Sequence, residues 1–138
     1  GSLREKLEKI VNTNGLSENI KFISFKENVY DYILSSDYVI VPSYSESFCL
    51  VIAEAVCLNK VCISTDTAGA REILNNGEYG VLVENSEEGI KNGILKVLNE
   101  DFLKHKYESK LLKWSYNFKN ESIMEKINEL INFEDKET

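Results

Sequence analysis

The stretch that decides the fold is residues 42–55, PSYSESFCLVIAEA, together with the short run YVIV at residues 38–41 that precedes it. The YVIV run is β-branched, is too short for a buried helix and is stopped by Pro42, so it predicts a central strand of a parallel sheet. Residues 43–47 form a polar loop. Residues 48–58 (FCLVIAEAVCL) predict a helix that is apolar on nearly every side and therefore buried.

Outward from this stretch, predicted strands alternate with predicted helices. Strands are expected at residues 20–25, 61–64 and 80–83, a turn at 76–77, and helices at 3–12, 28–35, 69–74, 87–98, 101–114 and 122–131. This alternation predicts an α/β fold: a three-layer, Rossmann-like parallel sheet with right-handed crossovers, whose ligand crevice lies beyond the carboxyl ends of the strands. We expect one domain over residues 3–138, and the opening Gly1-Ser2 is interpreted as a cloning remnant.

The overall charge argues against polyanionic partners. The 138 residues carry a formal net charge of -7, with a pI near 4.8. Neither nucleic acid nor anionic lipid is attracted to such a surface without a local basic patch. The densest basic stretch, residues 104–113, interleaves lysines with Glu108 and apolar residues, which is typical of a solvated helix face.

Cysteine and histidine usage excludes several kinds of chemistry. Cys49, Cys57 and Cys62 lack CxxC spacing, so neither a disulfide framework nor a zinc site is predicted, and a reducing, cytoplasmic setting is expected. His105 is the one histidine in the sequence and is flanked by lysines, which leaves no partner for a hydrolase triad and no histidine-based metal cluster. No apolar run approaches the roughly 20 residues that span a bilayer.

The predicted helix after the YVIV strand supplies a candidate ligand site. A helix N-terminus just past a strand presents unpaired N–H groups and a partial positive charge, which favour phosphate; here Phe48, Cys49 and Leu50 would supply those groups. Glu54 is the charged residue of this helix, and a buried carboxylate needs a partner. A ribose diol would satisfy it. So would an ion pair with Arg71 or Lys60, or an edge position that still reaches water.

Glu46 precedes Glu54 by eight residues, which corresponds to about 12 Å if the intervening chain is helical. Glycosidase carboxyl groups lie about 5 to 9.5 Å apart, so this pair is not expected to flank one glycosidic bond. The two carboxylates could instead bind the two ends of an extended ligand whose charged middle meets the helix N-terminus. A nucleotide sugar has that shape.

The E-x7-E pattern of Glu46 and Glu54 resembles the donor-site motif of retaining GT-B glycosyltransferases of family 4, the glycosyl transferases group 1. The run VCISTDTAGAREIL at residues 61–74, followed by NNGEYGVLV at 75–83, is similar to that family's next motifs. Together the similar segments cover residues 22–98 in the family's order. The resemblance implies the carboxyl-terminal, donor-binding half of a GT-B enzyme.

The resemblance also implies roles for the site residues. The catalytic residue would be Glu46, on the transferred sugar, and Glu54 would bind the ribose hydroxyls. The amides of Phe48, Cys49 and Leu50 would meet sugar hydroxyls and the distal phosphate. Lys26 would lie near the base, although it is equally interpreted as a solvated loop charge.

The chain departs from the family pattern next to Glu46. Ser47-Phe48-Cys49 stands where the family commonly has Gly-Phe-Gly, which places added side chains beside the sugar subsite. Ser47 is a candidate N-cap, and Cys49 is interpreted as a small apolar filler. Gly69 and Glu72 also match family positions, as a turn glycine and an orienting carboxylate.

The implied activity is transfer of a hexose from a UDP-sugar to a glycan or lipid acceptor, with retention of configuration and without a metal or other cofactor. The family's phosphate-binding Arg and Lys belong to an upstream segment and its acceptor site to an amino-terminal domain. This sequence contains neither the basic residues nor the acceptor site. The chain alone is therefore expected to be inactive, because the donor phosphates are not neutralised and no acceptor is oriented. A full-length enzyme is expected in the cytoplasm or peripherally at the inner membrane face, through the absent domain. The alternatives are a non-catalytic nucleotide-binding or interaction module and a nucleotide-sugar epimerase of the same architecture.

Overall fold

The computed structural model describes residues 2–115. The predicted helix at 122–131 lies outside the described residues. Within them the elements are, in chain order, α1 (Arg4–Thr13), α2 (Tyr30–Ser35), β1 (Tyr38–Val41), α3 (Leu50–Cys57), β2 (Val61–Thr65), α4 (Ala68–Ile73), β3 (Val81–Val83), α5 (Glu87–Asn99) and α6 (Asp101–Trp114).

The three strands form one parallel sheet in the order β1-β2-β3. In register, Ile40 pairs with Ile63, which pairs in turn with Val81. All five residues of β2 are buried, as expected for a central strand covered on both faces. The predicted α/β fold with a parallel sheet is therefore confirmed.

Helices cover both faces of this sheet. On one face, Gly93 of α5 lies so close to β2 and β3 that an added Cβ would come within 3.0 Å of Ile63 Cγ2 and 2.6 Å of Val83 Cγ1. Because successive side chains of a strand alternate, Cys62 faces the other side, towards Cys49 at the start of α3. Burial, and to a lesser extent the neighbouring Cys49, raises the pKa of the Cys62 thiol to about 12. The order helix, sheet, helix gives the three predicted layers.

The strand predicted at residues 20–25 is not formed. This segment pairs with no strand of the described residues, and Ile20, Ile23 and Phe25 are exposed, Phe25 to 94%. Arg4 holds it against α1 instead: Nη1 donates to Ser24 Oγ at 3.2 Å, and the guanidinium lies 5.9 Å from the Phe22 ring centroid. The alternating pattern is that of a strand, but a strand requires a neighbour with which to pair.

Helix α3 also differs from its prediction. It begins at Leu50 rather than Phe48, and its N-cap is Cys49 rather than Ser47. One face of the helix is buried, as predicted, and it contains Ile52, Ala53, Ala55 and Val56. Leu50, however, is 57% exposed and Val51 is also exposed, so the expectation of burial on every side was wrong. The helix covers the sheet with one face only, and its apolar composition does not reveal which face that is. Among residues 2–115, no helix combines the length and apolarity needed to cross a membrane.

Candidate functional site

The loop between β1 and α3 lies at the carboxyl edge of the sheet, and hydroxyl groups of β2 hold the end of β1 and the start of the loop. Thr65 Oγ1 donates to the Ser43 carbonyl oxygen at 2.5 Å, and Ser64 Oγ donates to the Val41 carbonyl oxygen at 3.2 Å. Both hydroxyl residues are buried. The position of the loop is therefore fixed by the central strand beside it.

Glu46 is held at both its side chain and its backbone. Ser43 Oγ donates to Glu46 Oε1 at 3.2 Å, and the Gly69 N–H donates to the Glu46 carbonyl oxygen at 3.1 Å. The Glu46 side chain is partly exposed, and its second oxygen has no hydrogen-bond partner within residues 2–115. Ser43 was missed by sequence reasoning because its role depends on a loop conformation that spacing does not reveal.

Three backbone amides next to Glu46 have no hydrogen-bond partner among the described residues. No hydrogen bond within residues 2–115 uses the N–H of Phe48, Cys49 or Leu50, and Ile52 is the first residue of this region whose N–H donates, to the Cys49 carbonyl oxygen at 3.1 Å. These are the amides predicted to bind sugar hydroxyls and phosphate, and that role stays a prediction. Ser47 is exposed and does not cap the helix.

The substituted loop residues point in different directions. Cys49 is buried within the main core cluster, which supports its interpretation as an apolar filler. Ser47 and Phe48 are exposed. Of the two side chains that depart from Gly-Phe-Gly, Cys49 is therefore directed into the core, and Ser47 is the added side chain that remains accessible beside Glu46.

Glu54 lies on α3 at the boundary between the core and solvent, in a half-buried position. Tyr30 Oη donates to Glu54 Oε1 at 3.2 Å. The two basic residues considered as partners bind elsewhere: Arg71 Nε pairs with Asp66 Oδ1 at 2.5 Å, and Lys60 Nζ donates to the Ser36 carbonyl oxygen at 3.0 Å. Of the alternatives left open for Glu54, the structure therefore has the edge position, with a tyrosine partner that sequence reasoning missed.

A cavity of about 440 Å³ opens beside Glu54. Its volume is within the range of small-molecule sites, and its lining is mostly apolar. The cavity is lined by Ile23, Ser24, Phe25, Lys26, Val29, Tyr32, Ile33, Val51 and Glu54. Lys26 and Glu54 thus both line this cavity. Lys26 is exposed, and its role there stays a prediction.

The relation between the two carboxylates differs from the one expected. The estimate of about 12 Å assumed a helix from Glu46 to Glu54, but the helix begins at Leu50. The segment from Glu46 to Cys49 is irregular, so a helical rise does not set the separation. Glu46 instead precedes the free amides and Glu54 follows them, one turn into α3.

Comparison with known proteins identifies the family. The sequence profile of the family described as glycosyl transferases group 1 matches residues 1–120. The chain belongs to this family. It is 29% identical over 112 residues to N-acetylgalactosamine-N,N'-diacetylbacillosaminyl-diphospho-undecaprenol 4-alpha-N-acetylgalactosaminyltransferase of Campylobacter jejuni, covering 80% of this chain and 31% of that protein.

Other relatives agree. An uncharacterized glycosyltransferase of Methanocaldococcus jannaschii is 33% identical over 107 residues, covering 75% of this chain and 30% of that protein. The chain thus spans about a third of the length of these curated relatives. Among solved structures, sucrose-phosphate synthase from Thermosynechococcus elongatus matches with a TM-score of 0.76 and 22% identity, covering 100% of this chain and 36% of that one. This last likeness shows that the fold is shared with a GT-B glycosyltransferase.

Proposed function

We propose that this chain is the donor-binding domain of a retaining family 4 glycosyltransferase that transfers a hexose from a UDP-sugar to a glycan or lipid acceptor. One observation carries the proposal. Along the carboxyl edge of the sheet the chain offers, in order, the Glu46 carboxylate, a row of free amides, and Glu54 beside a mostly apolar cavity.

The order of these groups matches the parts of a nucleotide sugar. Glu46 would accept hydrogen bonds from hexose hydroxyls. The free amides and the positive end of the α3 dipole would bind the diphosphate. Because the chain has a net charge of -7, a negatively charged diphosphate needs such a local positive site. Glu54 would bind the ribose diol, and the flat base would enter the apolar cavity.

Transfer itself requires charge stabilisation at the anomeric carbon. The bond from that carbon to the phosphate oxygen breaks, and a bond to the acceptor oxygen forms with the same anomeric configuration. The acceptor hydroxyl gives up its proton to the departing phosphate, and UDP leaves. Glu46 would stabilise the positive charge that develops on the sugar, and the amides would stabilise the departing phosphate. The proposal includes no metal ion.

The relatives support a lipid-linked or glycan acceptor. The name of the Campylobacter jejuni relative describes transfer to a glycan on diphospho-undecaprenol. A similar acceptor for this chain would place the full-length enzyme at the inner face of the membrane. We also propose that basic phosphate-binding residues and an acceptor domain lie outside this chain, so that residues 1–138 alone do not catalyse transfer.

The proposal predicts that Glu46 is essential for transfer. In the full-length protein, Glu46→Gln should lower hexose transfer from UDP-hexoses by about 100-fold or more, because it removes a charge that acts at the transition state. The assay follows UDP release from several UDP-hexoses in the presence of host membranes. Glu18→Gln, in an exposed turn after α1, is the matched control and should leave the rate unchanged.

Three results would contradict parts of this account. Equal transfer by Glu46→Gln and the unmodified protein would remove Glu46 from the mechanism. Measurable transfer by residues 1–138 alone would overturn their incompleteness. UDP binding by the full-length protein without transfer to any acceptor would favour the non-catalytic alternative.

A further inference from the structure

We propose that Tyr30 is a positioning residue for Glu54: its hydroxyl holds one carboxylate oxygen, so that the other is presented to the ribose hydroxyls of the donor. This inference rests on the proposed function and extends its nucleoside half. It concerns a residue that neither the E-x7-E pattern nor its spacing reveals.

The contact joins a buried ring to an accessible carboxylate. Tyr30 is 7% exposed and its ring belongs to the main core cluster, yet its Oη lies 3.2 Å from Glu54 Oε1. Glu54 is only half-buried and borders the cavity. The hydrogen bond thus connects the rigid interior to a group at the edge of the candidate site.

Tyr30 is itself fixed in place by the short helix α2. A helix of six residues is marginal in isolation, so its ends need support. The Tyr30 N–H donates to Asn28 Oδ1 at 2.9 Å at one end, and Lys60 Nζ donates to the Ser36 carbonyl oxygen at 3.0 Å at the other. The buried ring therefore cannot shift easily to follow a moving carboxylate.

The chemistry of the pair suits a positioning role. Burial, reinforced by the neighbouring Glu54 carboxylate, raises the pKa of the Tyr30 hydroxyl, so it stays protonated and donates at neutral pH. With Oε1 engaged, rotation of the carboxylate is restricted and Oε2 remains for a ligand. Fixing a binding group in advance lowers the entropic cost of association.

A purely structural role makes a different prediction. A buried tyrosine hydroxyl commonly finds a hydrogen-bond partner, and Glu54 could be no more than that partner. In that case, loss of the hydroxyl would change stability, or would weaken every nucleotide alike. A positioning role affects only ligands that carry the ribose hydroxyls that Glu54 binds.

The test compares UDP with 2′,3′-dideoxy-UDP by calorimetric titration of the full-length protein. Tyr30→Phe should weaken UDP binding about five-fold, the scale of one hydrogen bond to a charged group at a partly exposed site. It should leave the weaker binding of 2′,3′-dideoxy-UDP unchanged. In a Glu54→Ala background, Tyr30→Phe should have no further effect on UDP, because the carboxylate it holds is gone.

Tyr38→Phe is the matched control. Tyr38 lies on β1, and its Oη donates to the Val97 carbonyl oxygen on α5 at 3.4 Å, so this variant also removes one tyrosine hydrogen bond but not one to Glu54. It should leave UDP affinity unchanged, and thermal unfolding should show that all the variants fold. If Glu54→Ala binds UDP as well as the unmodified protein, the proposed role of Glu54 fails and this inference fails with it. Suppose instead that Glu54→Ala weakens UDP binding. If Tyr30→Phe then leaves UDP binding unchanged, or weakens the binding of both nucleotides equally, only the positioning role is overturned.

Discussion

Gly69 occupies a position where the loop that carries Glu46 leaves no room for a side chain. An added Cβ would lie 3.0 Å from Phe48 Cα and 3.1 Å from the Phe48 and Cys49 nitrogens. These are backbone atoms, which cannot rotate away as the end of a side chain can. Gly69 also donates its N–H to the Glu46 carbonyl oxygen, so the same contact both brings the loop close and aligns it.

We therefore predict that Gly69→Ala weakens donor binding more than it weakens the fold. Alanine is favoured in a helix by about 1 kcal/mol, which offsets part of the overpacking cost of about 1–3 kcal/mol. The loop must move by a few tenths of an ångström, and UDP-hexose affinity should fall about ten-fold. Calorimetric titration and thermal unfolding measure the two effects separately.

Gly15→Ala provides the reverse control. Gly15 has a φ of +66° and nothing within 4 Å of an added Cβ, so alanine there is strained but causes no collision. It should lose on the order of 1 kcal/mol of stability and keep its affinity. Donor affinity that is unchanged in Gly69→Ala, or equally reduced in both variants, would refute the proposed role of the close approach.

Individual site residues were predictable to different degrees. Glu54 could be singled out because a lone charged residue in an apolar helix needs a partner. The expectation that its carboxylate is buried, however, was too strong, since Glu54 is only half-buried. Glu46 depended on spacing and resemblance. Tyr30 could not be found, because it lies 24 residues before Glu54 on another helix and only the folded chain brings them together. The clue in the sequence is weak: Tyr30 and Ile33 lie on one face of α2, which marks Tyr30 as a core residue with a hydroxyl to satisfy.

At the scale of elements, the central strand β2 should dominate stability. Ile63 is 1% exposed, whereas Ile40, its register partner on β1, is 44% exposed. Ile63→Ala should cost about 2–5 kcal/mol through lost burial and a cavity. Ile40→Ala makes the same chemical change on a paired strand and should cost on the order of 1 kcal/mol, since less apolar area is lost from burial.

Urea unfolding of residues 1–138 measures the free energy of unfolding of both variants. The slope of that free energy against urea concentration should be the same in each, which checks that the unfolding transition is unchanged. Equal losses from the two variants would show that β2 is not the buried centre of the sheet.

The elements show where sequence periodicity is sufficient and where it fails. Strand β1 and helix α6 have the predicted bounds, because a β-branched run ended by proline and an amphipathic repeat are local signals. The segment at residues 20–25 has an equally clear alternation, yet it lies against Arg4 with exposed apolar side chains. Whether a strand forms depends on a pairing partner, which its own sequence does not encode.

At the scale of the whole molecule, the alternation of strands and helices was enough to predict the α/β class, and the shared fold with sucrose-phosphate synthase confirms it. The family is confirmed by the profile match over residues 1–120. The donor and the retaining mechanism remain proposals. The matched region is about a third of the length of the curated relatives.

The central claim is that the edge from Glu46 through the free amides to Glu54 binds a nucleotide sugar in that order. The most direct measurement is calorimetric titration of the full-length protein and of its Glu46→Gln and Glu54→Gln variants with UDP and with the preferred UDP-hexose. Glu54→Gln should weaken UDP about ten-fold, the scale of a hydrogen bond to a charged group. Glu46→Gln should leave UDP affinity unchanged and remove the added affinity that the hexose provides. UDP affinity that is the same in Glu54→Gln as in the unmodified protein, or a hexose contribution that survives Glu46→Gln, would contradict this assignment.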